Sequence, residues 1–242
     1  MNRARLDRMM VQKGLAATRS QAENYIKLGF VTVDGKTAVK SGLPVGGDSK
    51  IVLSLKEQYV SRAALKLEGA ASKFGLDFKD KLVLDAGSST GGFTDYALKH
   101  GARKVIAVDT GTDQLHPSLR GNPRIELHEN TDIRNFKPED YPDIVLVDVS
   151  FISLREVLPS IASISGKNTQ IIALLKPQFE AGKASLNKGV VKNDKLRRQI
   201  MKDFEFWSRD LFVIRAKADS GVAGAHGNVE RFYQLSLRGV ML

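Results

Sequence analysis

The apolar run Leu82-Val83-Leu84 leads into Asp85-Ala86-Gly87-Ser88-Ser89-Thr90-Gly91-Gly92-Phe93, and Asp109 closes a second run, Lys104 to Val108, 24 residues after Asp85. Glycines where a strand turns into a helix let a ligand approach the backbone at the carboxyl edge of a sheet. In dinucleotide-binding loops the spacing is GxGxxG, with a pyrophosphate on the helix N-terminus. Here Ser89 stands where the second glycine would be, and the acidic Asp85 ahead of the loop matches a pyrophosphate poorly. A cationic group, such as the amino end of a methionyl moiety, suits Asp85 better. Asp109 is placed to accept both hydroxyls of an adenosine ribose. Two carboxylates at successive strand ends are costly without a ligand. A nicotinamide site and a ligand-free turn are the competing readings.

The elements that must hold these carboxylates alternate strand and helix after Tyr59. Ser61 to Phe74 is amphipathic, with Ala63, Ala64, Leu67, Ala70 and Ala71 apolar. Strands are predicted at Leu82–Leu84, Lys104–Val108, Ile125–His128, Asp143–Val147, Thr169–Leu175, Leu211–Ala218 and Arg231–Leu237. Helices are predicted at Gly92–Lys99, Leu154–Ile164 and Asn193–Arg209. Continuous apolar strands such as Ile144-Val145-Leu146-Val147 suit a parallel sheet covered on both faces. The last two strands have no helix between them and should pair antiparallel. The fold class predicted is α/β, and seven strands with that ending resemble, by fold analogy, the Rossmann-like sheet of class I, S-adenosylmethionine-dependent methyltransferases.

Ahead of this sheet lies a different region. The chain has 242 residues with net charge +10, and residues 1–57 hold ten Lys/Arg against five Asp/Glu. An excess of that sign points to an anionic partner, nucleic acid before anionic lipid. Leu6, Met9, Met10 and Leu15 mark a short helix ending at Gly14. Thr18 reads as the N-cap of a second, Arg19 to Leu28, stopped by Gly29. Val31–Val33, with the turn Asp34-Gly35, and Ile51–Leu55 read as strands. So small an α+β unit is more credible as an appended binding domain than as an enzyme. Its basic residues Arg3, Arg5, Arg8, Lys13, Arg19, Lys27 and Lys36 are candidates for phosphate contacts. The stretch Arg5-Leu6-Asp7 through Gly14-Leu15-Ala16, Thr18-Arg19-Ser20-Gln21-Ala22 and Gly29-Phe30-Val31-Thr32-Val33-Asp34-Gly35-Lys36 resembles the RNA-binding domain of a small-subunit ribosomal protein. The expected division is residues 1–57 for that domain and 58–242 for the catalytic one.

The absence of cysteine excludes a disulfide framework, a thiolate metal site and a cysteine nucleophile. Four histidines, His100, His116, His128 and His226, show no zinc-ligand spacing, so no metal is expected. No run of 18 apolar residues is long enough to span a membrane, and no apolar segment follows the basic start. The expectation is a cytoplasmic protein with no obligate protein partner.

Further motifs run in order along the chain: Tyr59-Val60-Ser61-Arg62-Ala63-Ala64-Leu65-Lys66-Leu67, Asp109-Thr110-Gly111-Thr112-Asp113-Gln114-Leu115-His116, Asp148-Val149-Ser150-Phe151-Ile152-Ser153-Leu154, Leu175-Lys176-Pro177-Gln178-Phe179-Glu180 and Gly227-Asn228-Val229-Glu230. With the Asp85–Phe93 loop they resemble the FtsJ-type RNA 2′-O-methyltransferases. The whole chain resembles the TlyA family, historically called hemolysins, which joins an RNA-binding domain to that fold.

The resemblance implies a catalytic tetrad of Lys66, Asp148, Lys176 and Glu230. It also implies S-adenosyl-L-methionine as cofactor and ribosomal RNA or ribosomal subunits as partner. A ribose 2′-hydroxyl is a very weak acid, so its attack on a sulfonium methyl needs a base. Lysine serves when desolvation and a nearby positive charge favour its neutral form. Lys176 is the candidate base. Lys66 would supply the nearby charge and hold the 2′-oxygen. Asp148 would orient Lys176, and Glu230 would fix Lys66 or the ribose. Cofactor contacts are expected from Asp85, Gly87, Ser88, Ser89, Gly91, Gly92, Phe93, Asp109, Thr110, Asp132 and Ile133, the last two against the adenine. Arg62 is a candidate phosphate contact, and Phe151 a ring on which an extruded nucleotide could stack. Ala181 to Gly189 reads as a mobile loop near the site. The alternative function carried by the older family name is a membrane-active cytolysin, for which the sequence offers no strongly apolar amphipathic helix.

Overall fold

The computed structural model describes residues 3–16, 18–27, 29–54, 59–181, 190–191, 193–224 and 227–239. Leu28, Leu55, the side chain of Lys27, the expected domain boundary after residue 57, nearly all of the 181–189 loop and His226 lie outside the described residues. The chain divides into two compact units, Met1–Gln58 and Tyr59–Leu242.

The first unit contains β1 (Ala4–Arg5), α1 (Leu6–Gln12), α2 (Arg19–Lys27), β2 (Val31–Val33), β3 (Lys36–Ala38), β4 (Pro44–Val45) and β5 (Ile51–Leu53). Thr18 caps α2 through a hydrogen bond from the Gln21 N–H to its hydroxyl. Central β2 pairs antiparallel with β3 and β5, and the two-residue strands β1 and β4 pair with each other. These last two are too short to leave a periodic signal. Leu6, Met10, Ile26 and Val31 are fully buried in a small separate core.

Asp7 is also fully buried, and it organises the basic residues. It accepts from Arg5 Nη2 at 2.7 Å, Arg19 Nε at 3.0 Å and the Arg8 N–H at 2.8 Å. The Arg5 and Arg19 guanidiniums hold its carboxyl well below the usual carboxylate range, against the opposing effect of burial. A carboxyl depressed in the fold contributes stability above its ordinary value, and that stability is lost as the pH falls through the usual carboxylate range and below. Asp7→Ala should therefore destabilise this unit by about 2 kcal/mol at neutral pH. It should also flatten the acid limb of the stability curve, read by urea unfolding of the whole chain from pH 7 down to pH 3. An unchanged acid limb would show that Asp7 is not the organising charge.

The second unit opens with α3 (Arg62–Phe74), then β6 (Leu82–Ala86), α4 (Gly92–Lys99), β7 (Lys104–Val108), β8 (Ile125–His128) and β9 (Ile144–Val147). It continues with α5 (Leu154–Ser163), β10 (Gln170–Leu175), α6 (Pro177–Glu180), α7 (Asp194–Ser208), β11 (Phe212–Asp219) and β12 (Arg231–Leu237). The four-residue α6 has no sequence expectation, because a single helical turn is too short to show apolar periodicity. The seven strands form one sheet in the order β11-β12-β10-β9-β6-β7-β8. All neighbours are parallel except β12, which inserts antiparallel between β10 and β11.

The side-chain alternation of the strands sorts the sheet into two buried faces. Leu82, Leu84, Val145, Val147, Ala173, Leu175 and Tyr233 pack with α5 and α7. Val83, Leu146, Leu174 and Phe232 pack with α3 and α4. Continued one residue past each strand, the same alternation assigns Asp148, Lys176 and Glu230 to the α3 side, where Asp85 already lies. Four chemistry-bearing residues from four strands thus share the edge that α3 covers.

Candidate active site

Helix α3 starts where Ser61 caps it, its hydroxyl accepting from the Ala63 N–H at 3.3 Å. Its first turn lies against Gly92, where any β-carbon would collide with Ser61 and Ala63. This contact fixes α3, and Lys66 projects one turn further on. Lys66 Nζ donates to Glu230 Oε2 at 2.7 Å. The register Leu175↔Arg231, carried one residue on, sets Glu230 beside Lys176. Glu230 is 2% exposed.

Lys176 is 8% exposed, and its Nζ lies 2.7 Å from Asp148 Oδ1. It directs hydrogen bonds at Ser150 Oγ, 2.8 Å away, and at the Asp148 carbonyl, 3.4 Å away. The Asp148 contact is therefore an ion pair rather than a well-directed hydrogen bond. The tetrad expected from sequence resolves into two carboxylate–lysine pairs, Lys66–Glu230 and Lys176–Asp148.

Asp85 is wholly buried. Its Oδ2 accepts from the Thr94 hydroxyl at 2.6 Å, while Oδ1 has no hydrogen-bond partner among the described residues. Burial pushes the Asp85 carboxyl up to about 7; Thr94 opposes this, and the charges of Asp148 and Asp109 add to it. The Ser88 hydroxyl is likewise buried and unpartnered among the described residues. Both residues line a cavity of about 150 Å³, together with Ser89, Gly92, Phe93, Asp148, Ser150 and Lys176.

A second cavity, of about 390 Å³, shares Gly87, Ser89, Asp148 and Ser150 with the first. Asp109, Thr110, Asp132 and Ile133 line it. Its volume lies within the range of small-molecule sites. Asp109 accepts from the Ser89 and Gly111 N–H groups at 2.8 and 2.7 Å, and its carboxylate has further lone pairs to offer. Asp132 accepts from Arg134 Nη2 at 2.6 Å and from the Arg134 N–H at 2.9 Å, and the guanidinium holds its carboxyl below the usual range.

Two loop glycines are explained by packing of the chain on itself. Gly87 has φ +85°, and a β-carbon there would sit 2.9 Å from the Asp148 carbonyl. Gly91, at φ +86° and under Leu115 and Leu119, lines neither cavity. Of the cofactor set expected from sequence, the other ten residues line one cavity or the other.

Arg3, Arg5, Arg8, Arg19 and Lys36 are exposed in the first unit, and Arg62 is exposed at the start of α3. Thr94, Asp7 and Glu180 escaped the sequence reading. Each acts through a contact distant in sequence or through burial, which a single sequence does not display. Their only sequence signal is membership of motifs that carried the family resemblance or of the helix after the glycine loop.

The sheet order, the two joined cavities at its carboxyl edge and the buried acidic residue at the end of β6 define a class I methyltransferase domain. The FtsJ-like methyltransferase model matches residues 59–235, and the S4 domain model matches residues 4–51. The chain belongs to the FtsJ-like methyltransferase family. It is 39% identical over 241 residues to the 16S/23S rRNA (cytidine-2′-O)-methyltransferase TlyA of Mycobacterium tuberculosis, covering 96% of this chain and 90% of that protein. It is 47% identical over 182 residues to the 23S rRNA (cytidine-2′-O)-methyltransferase TlyA of Campylobacter jejuni, covering 74% and 71%. A solved structure of a candidate hemolysin from Streptococcus thermophilus superimposes with a TM-score of 0.74 at 36% identity, covering 98% of this chain and 89% of that one.

Proposed function

We infer that this enzyme transfers the methyl group of S-adenosylmethionine to a ribose 2′-hydroxyl of ribosomal RNA. The observation that carries this reading is the pairing of two largely buried lysines with two carboxylates beside a cavity that ends at an Asp85 oxygen unpartnered among the described residues. That oxygen and the Ser88 hydroxyl fit the ammonium and carboxylate of a methionyl group. Asp109 fits a ribose diol, and Asp132 with the Ile133 backbone fits an adenine. When bound, S-adenosylmethionine supplies an electrophilic methyl group on a sulfonium.

The rest belongs to the chain. Lys176 is the base that takes the 2′-hydroxyl proton at Nζ. Ser150 and Asp148 fix the position of that nitrogen. Lys66, oriented by Glu230, donates to the 2′-oxygen and stabilises the charge that develops there. Phe151, 92% exposed at φ +66°, offers its ring to the target base. Arg3, Arg5, Arg8, Arg19, Lys36 and Arg62 grip phosphates, which gives affinity without reading sequence. Ribosomal RNA or a ribosomal subunit in the cytoplasm is the proposed partner.

The cytolysin alternative rests on a name carried by relatives. Among the described residues no helix is long and apolar enough to cross a membrane. Labelled S-adenosylmethionine, incubated with the protein and with unmodified 16S and 23S ribosomal RNA or intact subunits, tests the reading. Label should appear in RNA and, after alkaline hydrolysis, in an alkali-stable dinucleotide, because a 2′-O-methyl blocks cleavage of the adjacent bond. Label in a base, or in no ribosomal substrate, would overturn it.

A further inference from the structure

Glu180 ends α6, four residues beyond Lys176, and lines neither cavity. Its carboxylate is largely buried, and both oxygens are committed to one distant segment. The Ser153 hydroxyl donates to Oε2 at 2.6 Å, and the Leu154 N–H donates to Oε1 at 2.7 Å. Ser153 Oγ in turn accepts from the Arg155 N–H at 3.1 Å. Glu180 therefore serves the first turn of α5, where the helix dipole favours a negative charge. Burial pushes its carboxyl up, and these two hydrogen bonds pull it down.

At the other end of the same loop, Ser150 Oγ accepts from Lys176 Nζ. Residues 150–153 are thus anchored at both ends by one short segment, 176–180. Between the anchors Phe151 adopts φ +66°, a region that side chains other than glycine rarely enter. Its ring is almost fully exposed, with its centroid 5.1 Å from that of Phe179 on α6. A strained backbone persists only where its surroundings over-determine it. Burial of the Phe151 ring contributes little here, so the two anchors are what hold the strain.

We propose that Glu180 is a positioning residue: by capping α5 it holds loop 149–153 in the strained form that presents Phe151 to the RNA in fixed register with Lys176. This deepens the methyl-transfer reading and rests on it. Glu180 touches neither cavity, so its effect reaches the reaction through segment 176–180 and the loop that it anchors.

Hydrogen exchange of the whole protein, with no RNA or cofactor present, reads the clamp directly. Glu180→Ala should speed amide exchange at residues 150–155 by about tenfold, the effect of losing a buried hydrogen bond to a charged group. Exchange in β6 and β9 should stay unchanged. Glu180→Gln, which keeps an acceptor for the Leu154 N–H, should restore most of the protection. If Glu180→Ala does not fold, Ser153→Ala removes one of the two bonds and should show the same local signature at smaller amplitude.

In the methyl-transfer assay Glu180→Ala should lower kcat/KM for RNA by about 10²-fold, the scale of a misplaced reacting group. The affinity for S-adenosylmethionine should stay at the wild-type value. The double variant Glu180→Ala/Phe151→Ala should be no worse than Phe151→Ala alone, because both changes remove the same presented ring. Unchanged exchange, or additive losses in the double variant, overturns the proposal. A wild-type protein that labels no ribosomal RNA defeats the methyl-transfer reading instead, and the exchange experiment still decides the clamp.

Discussion

Lys176→Ala should lower methyl transfer to RNA by roughly 10²- to 10⁴-fold, the usual range for loss of a positioned base. The loss should appear in kcat, because the proposed role of Lys176 is proton removal rather than contact with the RNA backbone. Cofactor affinity, measured by calorimetry, should change far less, since the ammonium is proposed to bind at Asp85 and not at Lys176. One side effect needs a control. Asp148 is mostly buried and loses its counter-charge, and an unpaired buried carboxylate destabilises. The thermal transition of the variant therefore has to be measured beside its rate, and rates compared well below it. Activity within a few-fold of wild type, in a folded variant, would remove Lys176 from the base role and turn attention to Lys66.

Asp85→Asn should abolish S-adenosylmethionine binding at accessible concentrations and, in the same protein, raise the stability of the free enzyme at alkaline pH. The two effects share a cause. Burial holds the Asp85 carboxyl up at about 7, so the free fold keeps a proton that the unfolded chain releases at its ordinary value. A raised carboxyl makes the folded state the better proton binder between those limits, so stability falls as the pH rises through that window. The loss amounts to at most ~4 kcal/mol between pH 4 and pH 8. Asparagine has no such proton to lose, and its curve should lack this decline. A bound ammonium pulls the wild-type carboxyl back down, so cofactor binding near pH 6 should release a proton. Affinity should then climb from pH 6 to pH 8. Calorimetry in two buffers of different ionisation enthalpy reads the proton directly. No proton release at pH 6, with normal binding, would mean that the ammonium sits elsewhere.

The glycine loop shows how one sequence signal can have two physical origins. The glycines at 87, 91 and 92 read from sequence as room for a ligand. In the fold, Gly87 makes way for the Asp148 carbonyl, and Gly92 makes way for the start of α3. These contacts place Asp148 and Lys66. The loop seats two members of the proposed tetrad as well as bordering both cavities.

By itself the sequence determined the sheet, because strand periodicity and apolar runs are local properties. Leu82–Leu84, Ile144–Val147 and Ile171–Leu175 announce buried parallel strands, and the missing helix between the last two strands announces their antiparallel pairing. Residue type and position also marked Asp85, Asp109, Asp148, Lys176 and Glu230 as strand-end groups at the edge where ligands bind. Pairing is not a local property, because it depends on register and on which face each strand end presents; only the family resemblance suggested Asp148 for Lys176 and Glu230 for Lys66 or the ribose. Only the tertiary structure decided that Lys66 meets Glu230 across 164 positions while Lys176 meets Asp148 and Ser150. It alone left one oxygen of Asp85 without a partner among the described residues, buried Asp7 between two arginines, and tied Glu180 to the start of α5. Burial and contact between distant segments create these properties, and neither exists until the chain has packed.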